Sequence, residues 1–166
     1  MSRLLFIHGR ALLLALGLIL INPALPRAEI SEREGWVVLP TQHSYQELIA
    51  RVEQAANANQ IGVVTRASAT VGAKEVLNKE IPGNMVIGLY HPRFAVPMLE
   101  ASVAAGIEAP IRVYLTENED GTATLSYKKP SFVFAPYMEE GSDGLDNLAA
   151  ELDELFQAVA EQAAGT

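Results

Sequence analysis

The chain has 166 residues, 20 acidic against 12 basic for a formal net charge of −8, and no cysteine. Without cysteine there are no disulfides, iron–sulfur clusters, thiolate zinc sites, thioether-linked haems or cysteine nucleophiles. The acidic balance disfavours nucleic acid and anionic lipid as partners, and the length suits one domain with its own core.

Residues 1–28 have the layout of a secretory signal peptide. Arg3 and Arg10 make a positive start, an unbroken apolar run follows over 11–21, and a Pro-rich segment leads to Ala24 and Ala28, the two candidate cleavage points. Eleven apolar residues are fewer than the ~20 a helix needs to span a bilayer. The expectation is therefore export to the periplasm or the extracellular space, with no stable membrane span after cleavage; a retained anchor is the alternative. Removal of Arg3, Arg10 and Arg27 leaves nine basic residues against the same 20 acidic ones, a net −11. It also leaves His43 and His91 as the only imidazoles.

Residues 29–43 read as a polar lead-in followed by a first strand at 36–39. Ser44 and Glu47 form a capping box, and Leu48, Ile49, Val52, Ala55 and Ala56 recur at helical spacing, which predicts a helix over 44–58. A second strand is expected at 61–66, one or two helical turns at 73–77, a turn at Pro82-Gly83-Asn84 and a third strand at 85–90. The next helix begins at Pro92 or Pro97 and ends near Ala105 with Gly106 after it. Segments 111–117 and 122–127, joined by Asn118-Glu119-Asp120-Gly121, predict a hairpin. The apolar stretch 131–137 is compatible with helix or strand. Residues 141–144 read as a linker inside an acidic segment that begins at 138. A final amphipathic helix is expected over 145–163, with Leu145, Leu148, Leu152, Leu155, Phe156 and Val159 as its apolar stripe. The order predicts a single α+β domain, a mostly antiparallel sheet of about five strands with helices packed on one face.

Four blocks in order carry a resemblance. They are Tyr45-Gln46-Glu47-Leu48 through Gln60-Ile61-Gly62-Val63-Val64, then Met85 through His91-Pro92, then Ile107-Glu108-Ala109-Pro110 leading into Ile111-Arg112-Val113-Tyr114, and finally Gly121 through Ser126-Tyr127-Lys128-Lys129-Pro130. Over 44–137 the chain resembles the domain of unknown function 302 family. The resemblance implies a compact α/β domain that pairs as a homodimer, and no established reaction. His91 stands where the family pattern has Asn, and Ala109 where it has Leu.

Candidate chemistry is sparse. His91 ends a strand and precedes a helix, where open sheets hold ligands; it is a candidate ligand-binding or proton-carrying group, set against a plain helix cap. Met98 lies two helical turns away, so His91 and Met98 are weak candidates for a metal pair. Alternation puts Ile111, Val113 and Leu115 on one side of a strand and Arg112, Tyr114 and Thr116 on the other. Its hairpin partner adds Thr124 and Ser126 to that second side, and Arg66 of the second strand is a candidate to join them. Arg66, Arg112, Tyr114 and Ser126 on an uncovered face suit a small anionic molecule or a second copy of the chain. The alternative is an ordinary solvated face. The acids at 117–120 and 139–140 lack a calcium ligand order, and Lys128-Lys129 reads as a strand terminus. No hydrolase, zinc-protease or phosphate-loop motif is present, and no cofactor is predicted. The expected protein is an exported, non-enzymatic binding or assembly module that self-associates, with a metal- or cofactor-dependent protein built on His91 as the other reading.

Overall fold

The computed structural model describes residues 30–166; the expected signal peptide and its cleavage points at Ala24 and Ala28 lie outside them. The architecture is a five-stranded, wholly antiparallel sheet with the spatial order β1-β5-β4-β3-β2. Its strands are β1 (Trp36–Ser44), β2 (Gly62–Ala67), β3 (Asn84–Tyr90), β4 (Ile111–Glu117) and β5 (Thr122–Lys128). Five helices join them: α1 (Tyr45–Ala58), α2 (Ala69–Leu77), α3 (Pro92–Ala101), α4 (Pro130–Phe134) and α5 (Met138–Ala164). The predicted α+β class is the one observed.

The core forms where the alternation of the strands meets the stripes of α1 and α5. Ile87 and Leu89 from β3, Val113 and Leu115 from β4, and Leu125 and Tyr127 from β5 are all buried on one side. Leu48 and Val52 of α1 pack onto them together with Leu145, Leu152, Phe156 and Val159 of α5. Burial of each such side chain contributes about 1.5–3 kcal/mol. Ser44 starts α1 as expected, its hydroxyl accepting from the Glu47 amide.

Several boundaries differ from the sequence expectation. The strand β1 runs on to Ser44 through Pro40, which is tolerated because β1 is an edge strand whose pairing with β5 is irregular after Pro40. The helix α2 begins at Ala69, four residues earlier than expected, capped by Ser68. Pro92 opens α3, Pro97 lies inside it, and the helix stops at Ala101. Residues Ala104–Glu108 then form a separate 3₁₀ turn, so Gly106 does not terminate α3. Segment 131–137 is helical, divided between α4 and a 3₁₀ turn at Ala135–Tyr137. The expected linker at 141–144 is part of α5. Its first turn carries Glu139 and Glu140, which complement the positive helix end, and Gly141 is buried against the side chain of Leu145. The C-terminal end of α5 is tied back to the start of the domain. Arg51 of α1 donates to the carbonyls of Gln162 and Ala163, and His43 approaches the Ala164 carbonyl at 3.2 Å.

Candidate binding cleft on the open sheet face

The helices α1 and α5 cover one face of the sheet; the residues of opposite parity form the other. The ladder registers align them in rows. Trp36 faces Lys128, and Gly88 faces Arg112. One row further, Val38 faces Ser126, Ser126 faces Tyr114, Tyr114 faces Val86, and Val86 faces Ala67. This face is concave and holds a cleft of about 780 Å³, within the usual size range of small-molecule sites. The start of α2 (Ser68, Ala69) forms one wall, Glu108 of the 3₁₀ turn and Val133 of α4 another, and Trp36 flanks the end.

Arg112, Tyr114 and Ser126 thus come together as alternation predicts. Arg112 is exposed, Tyr114 is half-buried, and Ser126 forms a fully buried floor, its hydroxyl 3.5 Å from the Tyr114 carbonyl. Among the described residues Arg112 has neither an ion pair nor a hydrogen-bonded partner. Among the described residues Glu108 is the one acid lining the cleft, and it accepts a hydrogen bond from the Tyr137 hydroxyl at 2.8 Å. That bond, more than any other influence, holds the Tyr137 phenol above its ordinary range.

Arg66 does not join this group. The pairing of β2 with β3 slips between Val63 and Thr65, so Thr65 takes the place opposite Gly88 and Arg66 falls opposite Ile87, a core residue. A bulge of one residue exchanges the faces of everything beyond it. Arg66 instead reaches the helical side and pairs with Glu53 of α1 at 2.6 Å, which raises the guanidinium further above its already high range.

His91 is elsewhere. It caps α3, its Nδ1 accepting from the Arg93 amide at 3.0 Å, which leaves the proton of the neutral ring on Nε2. With Met98 it lines a separate apolar cavity of about 30 Å³, enough for one water molecule. Met98 itself is buried in the core. Among the described residues no three His, Asp or Glu side chains are grouped to hold a metal ion. No described helix is long and apolar enough to cross a membrane.

A family model described as the domain of unknown function DUF302 matches residues 37–163. The chain belongs to the DUF302 family. The match extends well into α5, beyond the stretch over which the sequence motifs carried the resemblance. A solved structure of an uncharacterised conserved DUF302 protein from Bacillus stearothermophilus is similar in fold. It superposes with a TM-score of 0.69 at 17% identity, over 79% of this chain and 99% of that one. No curated protein matches the chain. In this DUF302 chain the cap geometry accounts for His91 where the sequence resemblance leads one to expect Asn, because imidazole Nδ1 and an Asn side-chain oxygen can both accept from an amide two residues on.

The cleft also contains residues that sequence reasoning did not select. Lys128 shares the parity of Ser126 and was within reach of the same alternation argument. Trp36 and Asn84 were not, because their place depends on which strands are neighbours, and local pattern encodes neither the pairing of β1 with β5 nor that of β3 with β4.

Proposed function

We propose that this DUF302 chain is an exported, non-enzymatic binding module whose open sheet face receives a small anionic molecule. The observation that carries the reading is Arg112, exposed in a large cleft without an acidic partner among the described residues, on a chain with 20 acidic residues. Calorimetric titration with a panel of small carboxylates, sulfonates and phosphate tests it. At least one should bind, and Arg112→Gln should weaken that binding at least tenfold while the melting temperature holds. Absence of binding across the panel, or indifference to the substitution, refutes the reading. Export is tested by fractionating the host and sequencing the mature N-terminus, expected at residue 25 or 29.

Self-association is supported by a different surface. Val96, Leu99, Val103 and Ile107 are exposed apolar side chains along α3 and the turn after it, and Leu99 packs against Gly106 to join the two segments. Sedimentation should give a dimer that Val103→Asp and Ile107→Asp dissociate. A monomer at all concentrations ends this reading. The metal or cofactor reading centred on His91 would require Nε2 to give up its proton to Nδ1, and with it the cap that Nδ1 makes. A stoichiometric metal that is lost in His91→Ala would revive it at the expense of the binding module.

A further inference from the structure

We infer that the anion this face takes is a carboxylate on an apolar body, an amphipathic organic acid, with its head between Arg112 and Lys128 and its body over Tyr114 and Val86. The inference rests on the proposed anion-binding role of the same cleft and names its ligand class.

The β4–β5 pairing ends at Val113 opposite Tyr127; continued one step, that register brings Arg112 beside Lys128, and both line the cleft. Like charges in that position repel. Neither side chain has an acidic partner among the described residues. Lys128 instead stands with Nζ 5.7 Å from the centre of the Trp36 ring, and Arg33 approaches the same ring at 5.0 Å. Arg112, Lys128 and Arg33 thus gather positive charge at one end of the cleft with no ion pair among the described residues, although the acids of the domain outnumber its bases by more than two to one. An anionic head group between Arg112 and Lys128 relieves the repulsion, and the planar guanidinium can grip a carboxylate through two bonds.

The remainder of the cleft decides what the head is attached to. Beyond the cations the surface runs over Tyr114, Val86 and Ala67, with Ala69 and Val133 in the walls. An inorganic anion would leave all of this wet. Phosphate also prefers a cradle of free backbone amides, and at the helix end beside this cleft two of those amides are already engaged. The Ala69 amide donates to Asn84 Oδ1 at 2.9 Å, and the Val71 amide to Ser68 Oγ at 3.3 Å. Two cations beside an apolar trough suit a carboxylate with a hydrocarbon or aromatic body.

Trp36 is the only tryptophan in the chain, so its emission reports on the cleft directly. The experiment titrates the purified protein with octanoate, 1-octanol, acetate and inorganic phosphate. Octanoate should shift Trp36 emission saturably. Octanol, acetate and phosphate should each bind at least tenfold more weakly. Arg112→Gln should weaken octanoate at least tenfold and Lys128→Gln at least threefold, with circular dichroism and melting unchanged. If Arg112→Gln fails to fold, Arg112→Lys keeps the charge without the fork and should give an intermediate affinity. Phosphate or acetate binding as tightly as octanoate overturns the amphipathic ligand and leaves the anion site standing. Octanol equal to octanoate, with no response to Arg112→Gln or Arg112→Lys, overturns both. So does the absence of any saturable shift.

Discussion

Gly88 offers a sharp test of how the two halves of the sheet meet. It is buried in the middle of β3, opposite Thr65 of β2 on one side and Arg112 of β4 on the other. A Cβ added there would stand 2.2 Å from Thr65 Oγ1, 2.7 Å from Pro110 Cγ and 3.1 Å from Pro110 Cβ. The Thr65 side chain is short and exposed and can rotate away, at a rotamer cost of about 0.5–1.5 kcal/mol. The Pro110 ring is fixed to its backbone and cannot. Overpacking of this kind costs about 1–3 kcal/mol, and the reduced freedom of the unfolded chain returns about 0.4–1 kcal/mol. Gly88→Ala should therefore lose about 1–2 kcal/mol, a fall of roughly 4–8 °C in melting temperature for a domain of this size. The control is Gly72→Ala in α2, where nothing lies within 4 Å of the added methyl; it should gain a few tenths to about 1 kcal/mol. In a Thr65→Ala background the Gly88→Ala loss should shrink by at least about 0.5 kcal/mol, since residues in contact couple. Melting followed by circular dichroism on the four variants decides the matter. A Gly88→Ala protein that melts with or above the wild type, or a loss that Thr65→Ala leaves untouched, refutes the argument and with it the register that places Thr65 on the open face.

Other substitutions probe the remaining joints. His91→Asn should melt within about 0.5 kcal/mol of the wild type because it keeps an amide acceptor, whereas His91→Ala should lose about 1 kcal/mol; equal melts for all three would show that the cap contributes nothing. Arg51→Ala removes the donors to the last carbonyls of α5 and should cost about 1–2 kcal/mol, with faster amide exchange confined to the final turn of that helix. Burial, with the negative charges of Asp153 and Glu161 behind it, pushes the Tyr127 phenol up to about 12. The unfolded phenol ionises near 10, so this contribution to stability is complete below about pH 10 and is lost as pH rises toward 12, about 3 kcal/mol in all. Tyr127→Phe should abolish that alkaline loss in pH-dependent denaturant melts. At neutral pH it should be neutral or slightly stabilising, because the hydroxyl has no hydrogen-bond partner among the described residues.

What was legible in the sequence follows from the range of the interactions involved. The α1 cap at Ser44, the hairpin of β4 and β5 and the apolar stripe of α5 are local patterns, and each appears where periodicity put it. The two sides of β4 were readable for the same reason. The failures share a physical cause in tertiary contact. Glycine at 141 and 144 suggested a break, but packing of Gly141 on Leu145 and the charge of Glu139 and Glu140 carry the helix through. Arg66 was a candidate for the open face by its place on a strand, and a bulge that no local pattern announces turns it to Glu53. The cleft combined both kinds of information, since Arg112 and Tyr114 come from alternation while Trp36 and Asn84 arrive through strand order.

The open face carries more order than the fold requires of it. Residues on the covered face are constrained by packing, because a polar side chain there would be buried without partners. On the outer side of the sheet Thr124 and Ser126 of β5 are buried too, but Arg112 is exposed, so there an acid could stand as readily as a base, and in this chain acids are far more abundant. Yet the row that crosses the sheet there runs from Trp36 to Lys128, and Arg112 stands at its next position facing Gly88. Gly88 itself leaves the floor beside Arg112 without a side chain. Adjacent cations without an ion pair on a folded sheet are a local cost, and with Lys128 held over the Trp36 ring the fold would be served as well or better by an acid at Arg112's position. The expected consequence can be measured without knowing the ligand. Arg112→Glu should restore an opposite-charge pair with Lys128 and hold or raise the melting temperature, by up to about 1 kcal/mol in stability, while abolishing the octanoate response of Trp36. A residue whose replacement improves the fold and removes binding is retained for the ligand. A variant that instead melts lower, with the octanoate response intact, would assign Arg112 to the structure and leave the cleft without its anion anchor.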